Sequence, residues 1–192
     1  MKKKLTQDLH IHTVFSENDS MVVPQQTVEL VSQIAHADII GISDHIEGIH
    51  GERFSAYREK VKKFGFHAGV EVSGSGWITE ALKLDVEYFI YHCQDNASEY
   101  NGAQKLLSSG KPVIIAHPMV MGTDLSKIPS ESYIEINNRY VWQNDWRSKL
   151  GPFSKRFRFV ISSDAHQPNW LNQNIARHVA AQLGIKESLL PL

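Results

Sequence analysis

Cysteine is almost missing from this chain: Cys93 stands alone. A single thiol excludes an intramolecular disulfide framework and fits a reducing cytoplasm. An excess of one charge is missing too, since Lys+Arg total 20 against Asp+Glu 21, for a net charge of -1. Beyond Lys2-Lys3-Lys4 there is no long basic run, so an extended nucleic-acid surface is not expected. The lysine run reads as a solvated tail, and without an apolar stretch behind it the start of the chain does not read as a secretory signal. No apolar run is long enough to span a bilayer. Linkers, internal repeats and low-complexity tracts are also lacking, so residues 1–192 are expected to form one domain with a sizeable core. What the chain does have is histidine, ten in all.

Seven short apolar runs recur along the sequence, at 5–12, 38–44, 66–72, 86–92, 112–117, 133–137 and 157–163. Their brevity and their content of Val, Ile, Phe and Tyr predict β-strands. Helical spacing occupies most of the intervals, at 24–37, 52–64, 98–109, 170–183 and, more briefly, 141–150. The glycines of 73–85 leave little room there for a full crossover helix. Strands alternating with helices imply parallel strands with helices outside. A complete eight-unit barrel takes ~250 residues, so seven strands in 192 residues predict a shortened, distorted (β/α)7 TIM-like barrel.

The ends of these runs carry the chemistry. The first ends at His10 and His12, two residues apart, which on a strand places both imidazoles on one face and Leu9 and Ile11 on the other. The second ends at Asp44-His45, the third carries Glu71, the fourth ends at His92, the fifth at His117, and the seventh at Asp164-Ala165-His166. In a parallel barrel the carboxyl ends of the strands converge on one face. Six of the ten histidines would therefore meet in one cup.

The ordered series DLHIHT, FSENDS, ISDH, GVEVS, YH, AHP and SSDAH resembles the polymerase-and-histidinol-phosphatase (PHP) superfamily of metal-dependent phosphoesterases, over nearly the whole chain from Asp8 to about Leu183. The resemblance implies a seven-stranded distorted barrel and a centre of two or three divalent ions. It implies His10, His12, Glu71 and Asp164 around the first metal, with Glu71 bridging to a second completed by His92 and His117. It implies Asp19, His45 and His166 around the third, with Glu17 competing for the place of Asp19. Nitrogen and oxygen donors in such sets suit Zn, Mn or Fe and leave coordination positions open. Asp8 and Asp44 are candidates for orienting the ligand imidazoles from outside, or else serve as turn and cap residues. Cys93, next to His92, is expected to face away into the core.

The activity expected from this resemblance is hydrolysis of a small phosphate monoester, with water activated between metals attacking phosphorus. His166 is a candidate proton donor to the leaving group. Arg53, His50 and Arg139 are candidate contacts for the phosphorylated substrate, since an arginine clamps phosphate bidentately. Trp77, Trp142, Trp146 and Trp170 are candidates for walling the pocket. Glu135 and Asn137 alternate on the sixth strand and reach toward the cup without an assigned role. Two rivals stand beside this reading. One is an amidohydrolase-type metal-dependent hydrolase, and the other a binding or regulatory module that retains metal without turnover.

Overall fold

The computed structural model describes residues 4–192, so Lys2 and Lys3 of the lysine run lie outside the described residues. Seven strands follow the chain in order: β1 (Leu5–Asp8), β2 (Ala37–Ile42), β3 (His67–Val72), β4 (Tyr88–Tyr91), β5 (Val113–Ile115), β6 (Tyr133–Asn137) and β7 (Arg158–Ser162). Each pairs with the next in parallel, in the order β1-β2-β3-β4-β5-β6-β7. This is the (β/α)7 barrel expected from the alternation of elements. The helices are α1 (Val28–Ile34), α2 (Ile46–Ile49), α3 (Arg53–Lys63), α4 (Ile78–Ala81), α5 (Ala97–Leu107), α6 (Pro118–Met121), α7 (Trp146–Leu150) and α8 (Asn174–Gln182). No helix among the described residues is long and apolar enough to cross a membrane.

Local chemistry explains the boundaries. Thr27 Oγ1 accepts from the Leu30 amide at 3.2 Å, which starts α1 three residues after Pro24, whose neighbourhood the sequence alone suggested. Asn96 does the same for α5, accepting from Glu99 N at 3.1 Å. The glycine-bearing 73–85 segment forms only a 3-10 turn (Ser75–Trp77) and the single turn of α4.

The strands are buried on both faces, as parallel strands are when helices cover them. A large outer cluster packs sheet against helices, with Ile42, Val70, Phe89, Tyr91 and Ile134 from the strands. A smaller cluster fills the barrel interior, including Leu9, Tyr88, Ile90, Ile114, Val160 and Leu190. Tyr88 crosses this interior and donates to the Leu9 carbonyl at 2.7 Å. Its ring needs Gly41 and Gly69 as neighbours, because a Cβ on either would sit 2.2–2.3 Å from Tyr88 atoms.

Between β1 and β7 the seam closes by other means. At the site end, Ile11 bridges Ala165, and His12 N donates to Ala165 O at 2.9 Å. Below, the Gln173 carboxamide donates to Gln7 O (2.8 Å) and Ile161 O (2.9 Å), stapling the two strands. Near the chain end, Ser188 N donates to Phe159 O at 2.7 Å, and Gln7 Nε2 donates to Ser188 O at 2.7 Å. The 187–190 segment thus wedges the seam and sends Leu190 into the interior.

Gly69→Ala should lower the unfolding free energy by about 1–3 kcal/mol, the usual cost of overpacking a filled core. Gly76→Ala adds a methyl that meets nothing within 4 Å and should stay within about 0.5 kcal/mol of the parent. Urea denaturation of the two variants reads the difference, and equal midpoints would show that Tyr88 is not wedged against Gly69.

Candidate metal centre

The carboxyl ends of the strands do converge. His45, Glu71, His92, His117, Asp164 and His166 line a cup of ≈ 190 Å³ together with Asp19 from the loop after β1. His10 and His12 are fully buried against the same carboxylate. Glu71, buried in β3, is the shared partner. Its Oε1 lies 3.1 Å from His10 Nε2, 2.6 Å from His92 Nε2 and 3.4 Å from His117 Nε2. Its Oε2 lies 3.2 Å from His12 Nε2 and 3.0 Å from His45 Nδ1.

The four residues expected around a first metal come together. His10 Nε2 and His12 Nε2 are 3.0 Å apart, and Asp164 Oδ1 lies 3.7 and 3.6 Å from them. Glu71, His92 and His117 form the second group through Glu71 Oε1. In the third, Asp19 Oδ2 lies 2.8 Å from His166 Nε2 and 3.3 Å from His45 Nε2. His12 also converges with His45 and His166, so the first and third groups share an edge.

Hydrogen bonds behind the imidazoles orient them. His10 Nδ1 donates to Glu135 Oε1 at 2.7 Å, which turns Nε2 toward Glu71 and His12. Burial opposes its protonation, but Glu135, Glu71 and Asp164 push it well above the ordinary imidazole range. His12 Nδ1 lies 3.3 Å from Ser16 Oγ. That hydroxyl donates to Asp44 Oδ1 at 2.7 Å and accepts from His45 N at 3.0 Å. His166 Nδ1 lies 3.0 Å from the Asp164 carbonyl oxygen, which turns Nε2 toward Asp19 Oδ2 at 2.8 Å.

The electrostatics match a cluster built around buried carboxylates. Burial opposes ionisation of Glu71, but His92, His10, His45 and His12 together hold it well below the usual carboxylate range. Glu135 is likewise held down, to about 2, against its burial and chiefly by His10. Burial resists protonation of His45, yet Glu71 and Asp19 push it up to about 10. His12 goes the other way, lowered by burial and by its neighbour His45.

The backbone is forced at two of these positions. His117 has φ 23 and Asp164 φ 54, two of the three non-glycine residues with positive φ among the described residues. His117 also precedes Pro118, which restricts it further. Such conformations cost about 1–3 kcal/mol each and gather at functional sites.

Several expected site residues stand elsewhere. Asp8 bonds His36 Nε2 at 2.9 Å and Ser163 N at 3.0 Å, so it reaches no imidazole of the cup. The reason is a break in strand alternation: β1 ends at Asp8, and Leu9 joins the interior cluster while Ile11 joins the outer one. Leu9 and Ile11 thus do not share a face. Asp44 also touches no ligand ring directly. It accepts from Thr13 N (2.6 Å), Thr13 Oγ1 (2.7 Å) and Ser16 Oγ, acting on His12 and His45 only through Ser16, and burial pushes its carboxyl up to about 6. Arg53 pairs with Glu17 at 2.5 Å on the surface, which removes Glu17 from competition with Asp19 and Arg53 from the cup. His50 packs beside Trp77, ring centroids 5.1 Å apart. Arg139 alone of the three substrate candidates lines the cup, its Nη1 3.2 Å from His166 Nδ1 and 3.7 Å from Asp164 Oδ1. Cys93 lies buried in the outer cluster, its thiol pushed up to about 12 by burial.

Three residues, Glu135, Asn137 and Ser16, gained roles that sequence reasoning had not given them. Glu135 holds His10 and also accepts from His117 N at 2.6 Å, while Asn137 Nδ2 bridges Glu135 (3.0 Å) and Asp164 (3.1 Å). Their alternation on β6 was the available signal. Ser16 carried none.

No family model matches the chain, and no curated protein matches it. Solved structures to which it is similar include a dihydropteroate synthase from Xanthomonas albilineans in complex with indole-2-carboxylic acid and 6-chloroguanine, at 11% identity and TM-score 0.48, covering 96% of this chain and 86% of that one. Another is the Yersinia pestis dihydropteroate synthase, at 11% identity and TM-score 0.49, covering 97% and 85%. A third is a truncated 3-deoxy-D-arabino-heptulosonate 7-phosphate synthase from Thermotoga maritima, at 12% identity and TM-score 0.43, covering 96% and 91%. These are enzymes, but synthases of other families. With no family model and no curated protein matching the chain, the expected membership in the PHP superfamily is corrected, and with it the hydrolase and phosphatase activity on a phosphate ester that the resemblance implied. Nothing of the synthases' chemistry passes to this chain, whose barrel rests on its own strand order.

Proposed function

We propose that this chain is a metal-dependent enzyme with two or three divalent ions, Zn, Mn or Fe, at the barrel mouth, acting on a small oxygen-bearing anion. The ligands would be His10, His12, Glu71 and Asp164; Glu71, His92 and His117; and Asp19, His45 and His166. One observation carries this reading. His10 Nε2, His12 Nε2 and Asp164 Oδ1 lie 3.0–3.7 Å from one another, near the ~3.3 Å edge of a tetrahedron with metal–nitrogen bonds of ~2.0–2.1 Å, and the two Glu71 oxygens lie 3.1 and 3.2 Å from the two rings. Hydrogen bonds behind both rings already turn their Nε2 atoms inward. Bound there, the ions would supply Lewis-acid polarisation of a substrate oxygen.

The chain's own groups do the rest. Glu135 and Ser16 fix the two deepest rings, and Arg139 places a cation on the rim, where an anion enters. The cup, ≈ 190 Å³, suits the anionic end of a substrate. The buried, single Cys93 fits the cytoplasm as the setting.

Metal analysis of the purified protein should give at least two ions per chain, with fewer in His12→Ala and Asp164→Ala at unchanged circular dichroism. In the cobalt-substituted protein, adding a small carboxylate should shift the visible absorption, because open positions accept it. A protein that takes up no metal from Zn or Mn sinks the reading. A cobalt spectrum indifferent to the anion would reduce the centre to a closed structural one.

Glu135→Gln should weaken metal affinity about 10–100-fold, the usual effect of losing such a supporting partner, as read by competition with a chelating dye. Affinity equal to that of the parent would remove Glu135 from the centre.

Metal uptake should release protons and strengthen as pH rises toward 10, because in the metal-free protein His45 keeps its proton up to about 10. The sign for stability is the reverse. A histidine raised from 6.5 stabilises the metal-free fold fully below pH 6.5, and that contribution fades as pH climbs to about 10. Calorimetric titration in buffers of different ionisation enthalpy reads the protons, and thermal melts of the metal-free protein read the stability. Metal binding independent of pH would contradict both.

A further inference from the structure

A second cavity, of ≈ 510 Å³, opens beside the cup, within the range of small-molecule sites (~300–1,000 Å³). Arg139 and Tyr140 line both spaces, so the two adjoin at these side chains. Trp142 and Trp170 add two more rings to its wall. Arg139 is held between aromatics, its guanidinium 4.7 Å from the Tyr140 ring centroid and 5.1 Å from that of Trp170. Trp142 is 60% exposed, the most exposed of the large hydrophobic side chains among the described residues. It is nonetheless anchored, since its Nε1 donates to Arg139 O at 2.9 Å. An indole fixed by its polar edge with its faces open to water is a ready stacking surface.

We propose that this cleft is a recognition subsite for a planar aromatic or heteroaromatic ring, joined to the anionic group that enters the cup. Resting on the metal-centre reading above, it names the class of substrate: an aryl or heteroaryl oxyanion, ring in the cleft and anion toward the metals. Three features favour this occupant. The walls supply flat π-faces, which offset-stack on flat rings. The cation at the junction faces the anion on one side and ring faces on the other. The volumes divide the same way, since ≈ 190 Å³ in the cup suits a charged head and ≈ 510 Å³ suits a ring. Gln143, which also lines the cleft, offers a carboxamide to heteroatoms on the ring.

The test compares benzoate and quinoline-2-carboxylate with acetate as probes of the metal-loaded protein. Binding is followed by the cobalt spectrum and by the indole N–H signals of Trp142 and Trp170 in nuclear magnetic resonance. The aryl carboxylates should bind at least tenfold more tightly than acetate. That ratio should fall to near one in Trp142→Ala and be largely kept in Trp142→Phe, which retains a ring but not the hydrogen bond. Equal affinity for aryl and alkyl anions, or an aryl preference untouched by Trp142→Ala, overturns the subsite. The indole signals separate the two readings. If the cobalt spectrum ignores every anion while the aryl probes still shift both indoles, the ring subsite stands and the metal reading fails. If acetate moves the cobalt spectrum but no probe moves the indoles, the metal reading stands and the subsite fails. Shifts at Trp142 that grow with protein concentration alone would assign the cleft to contact between two copies of the chain.

Discussion

One buried carboxylate organises the mouth of this barrel. Glu71 has five imidazoles within 3.4 Å of its two oxygens, contributed by the ends of four other strands. A carboxylate with almost no exposure is stable only when cations surround it. In the metal-free protein those cations are protons shared among the rings, which explains why neighbouring histidines move in opposite directions. His45 gains a proton from contact with Glu71 and Asp19, while His12, facing His45, is kept neutral. Divalent ions would satisfy the same carboxylate with fewer conflicts. The His12 ring lies 4.4 Å from that of His45 and 4.2 Å from that of His166, centroid to centroid. The forced backbone of His117 and Asp164 belongs to the same constraint, since an ordinary β or α conformation would aim these side chains elsewhere.

The barrel was legible in the sequence because parallel strands buried on both faces must be short and apolar, and the spacing between them leaves room for helices. The metal-centre candidates were legible because a ligand needs a strand end to carry it to the common mouth. Their supports were harder to see, since an outer partner can come from any element that passes nearby. Ser16 lies in a loop and touches Asp44, His12 and His45 by virtue of tertiary packing alone. Asp8 failed for the opposite reason. Period-two reasoning assumes that pairing continues, but β1 stops at Asp8 and the chain shifts between Leu9 and His10. The closing of the seam by Gln173 and residues 187–190 left no periodic trace, because side-chain staples and irregular backbone have no period.

The corrected family reading has a physical lesson of its own. His-x-His on a first strand, a carboxylate on a third and Asp-x-His on a last strand are what any parallel barrel would need to collect nitrogen and oxygen donors at one mouth. Such a series argues for a shared geometry before it argues for a shared reaction. The reaction depends on what the donors hold and on what the surrounding surface admits. Here the residues around the donors distinguish this chain: the carboxylate of Glu135 behind His10, the hydroxyl of Ser16 behind His12, and the guanidinium of Arg139 against His166.

Those surroundings are unequal on the two sides of the cup. On one side lies a cavity of ≈ 320 Å³ lined by Ser16, Asn18, Asp19, Ser20, His45 and Glu47 among others, where Glu47 keeps a buried, unpartnered oxygen. On the other stand Arg139, Tyr140, Trp142 and Trp170. On the first side the Asp19 carboxylate is paired with His45 and His166, whereas on the second the guanidinium of Arg139 would draw an anion, most strongly where water is excluded. The apolar part of a substrate finds rings on the second side and mainly polar groups on the first. Charge and hydrophobic contact therefore favour the same orientation.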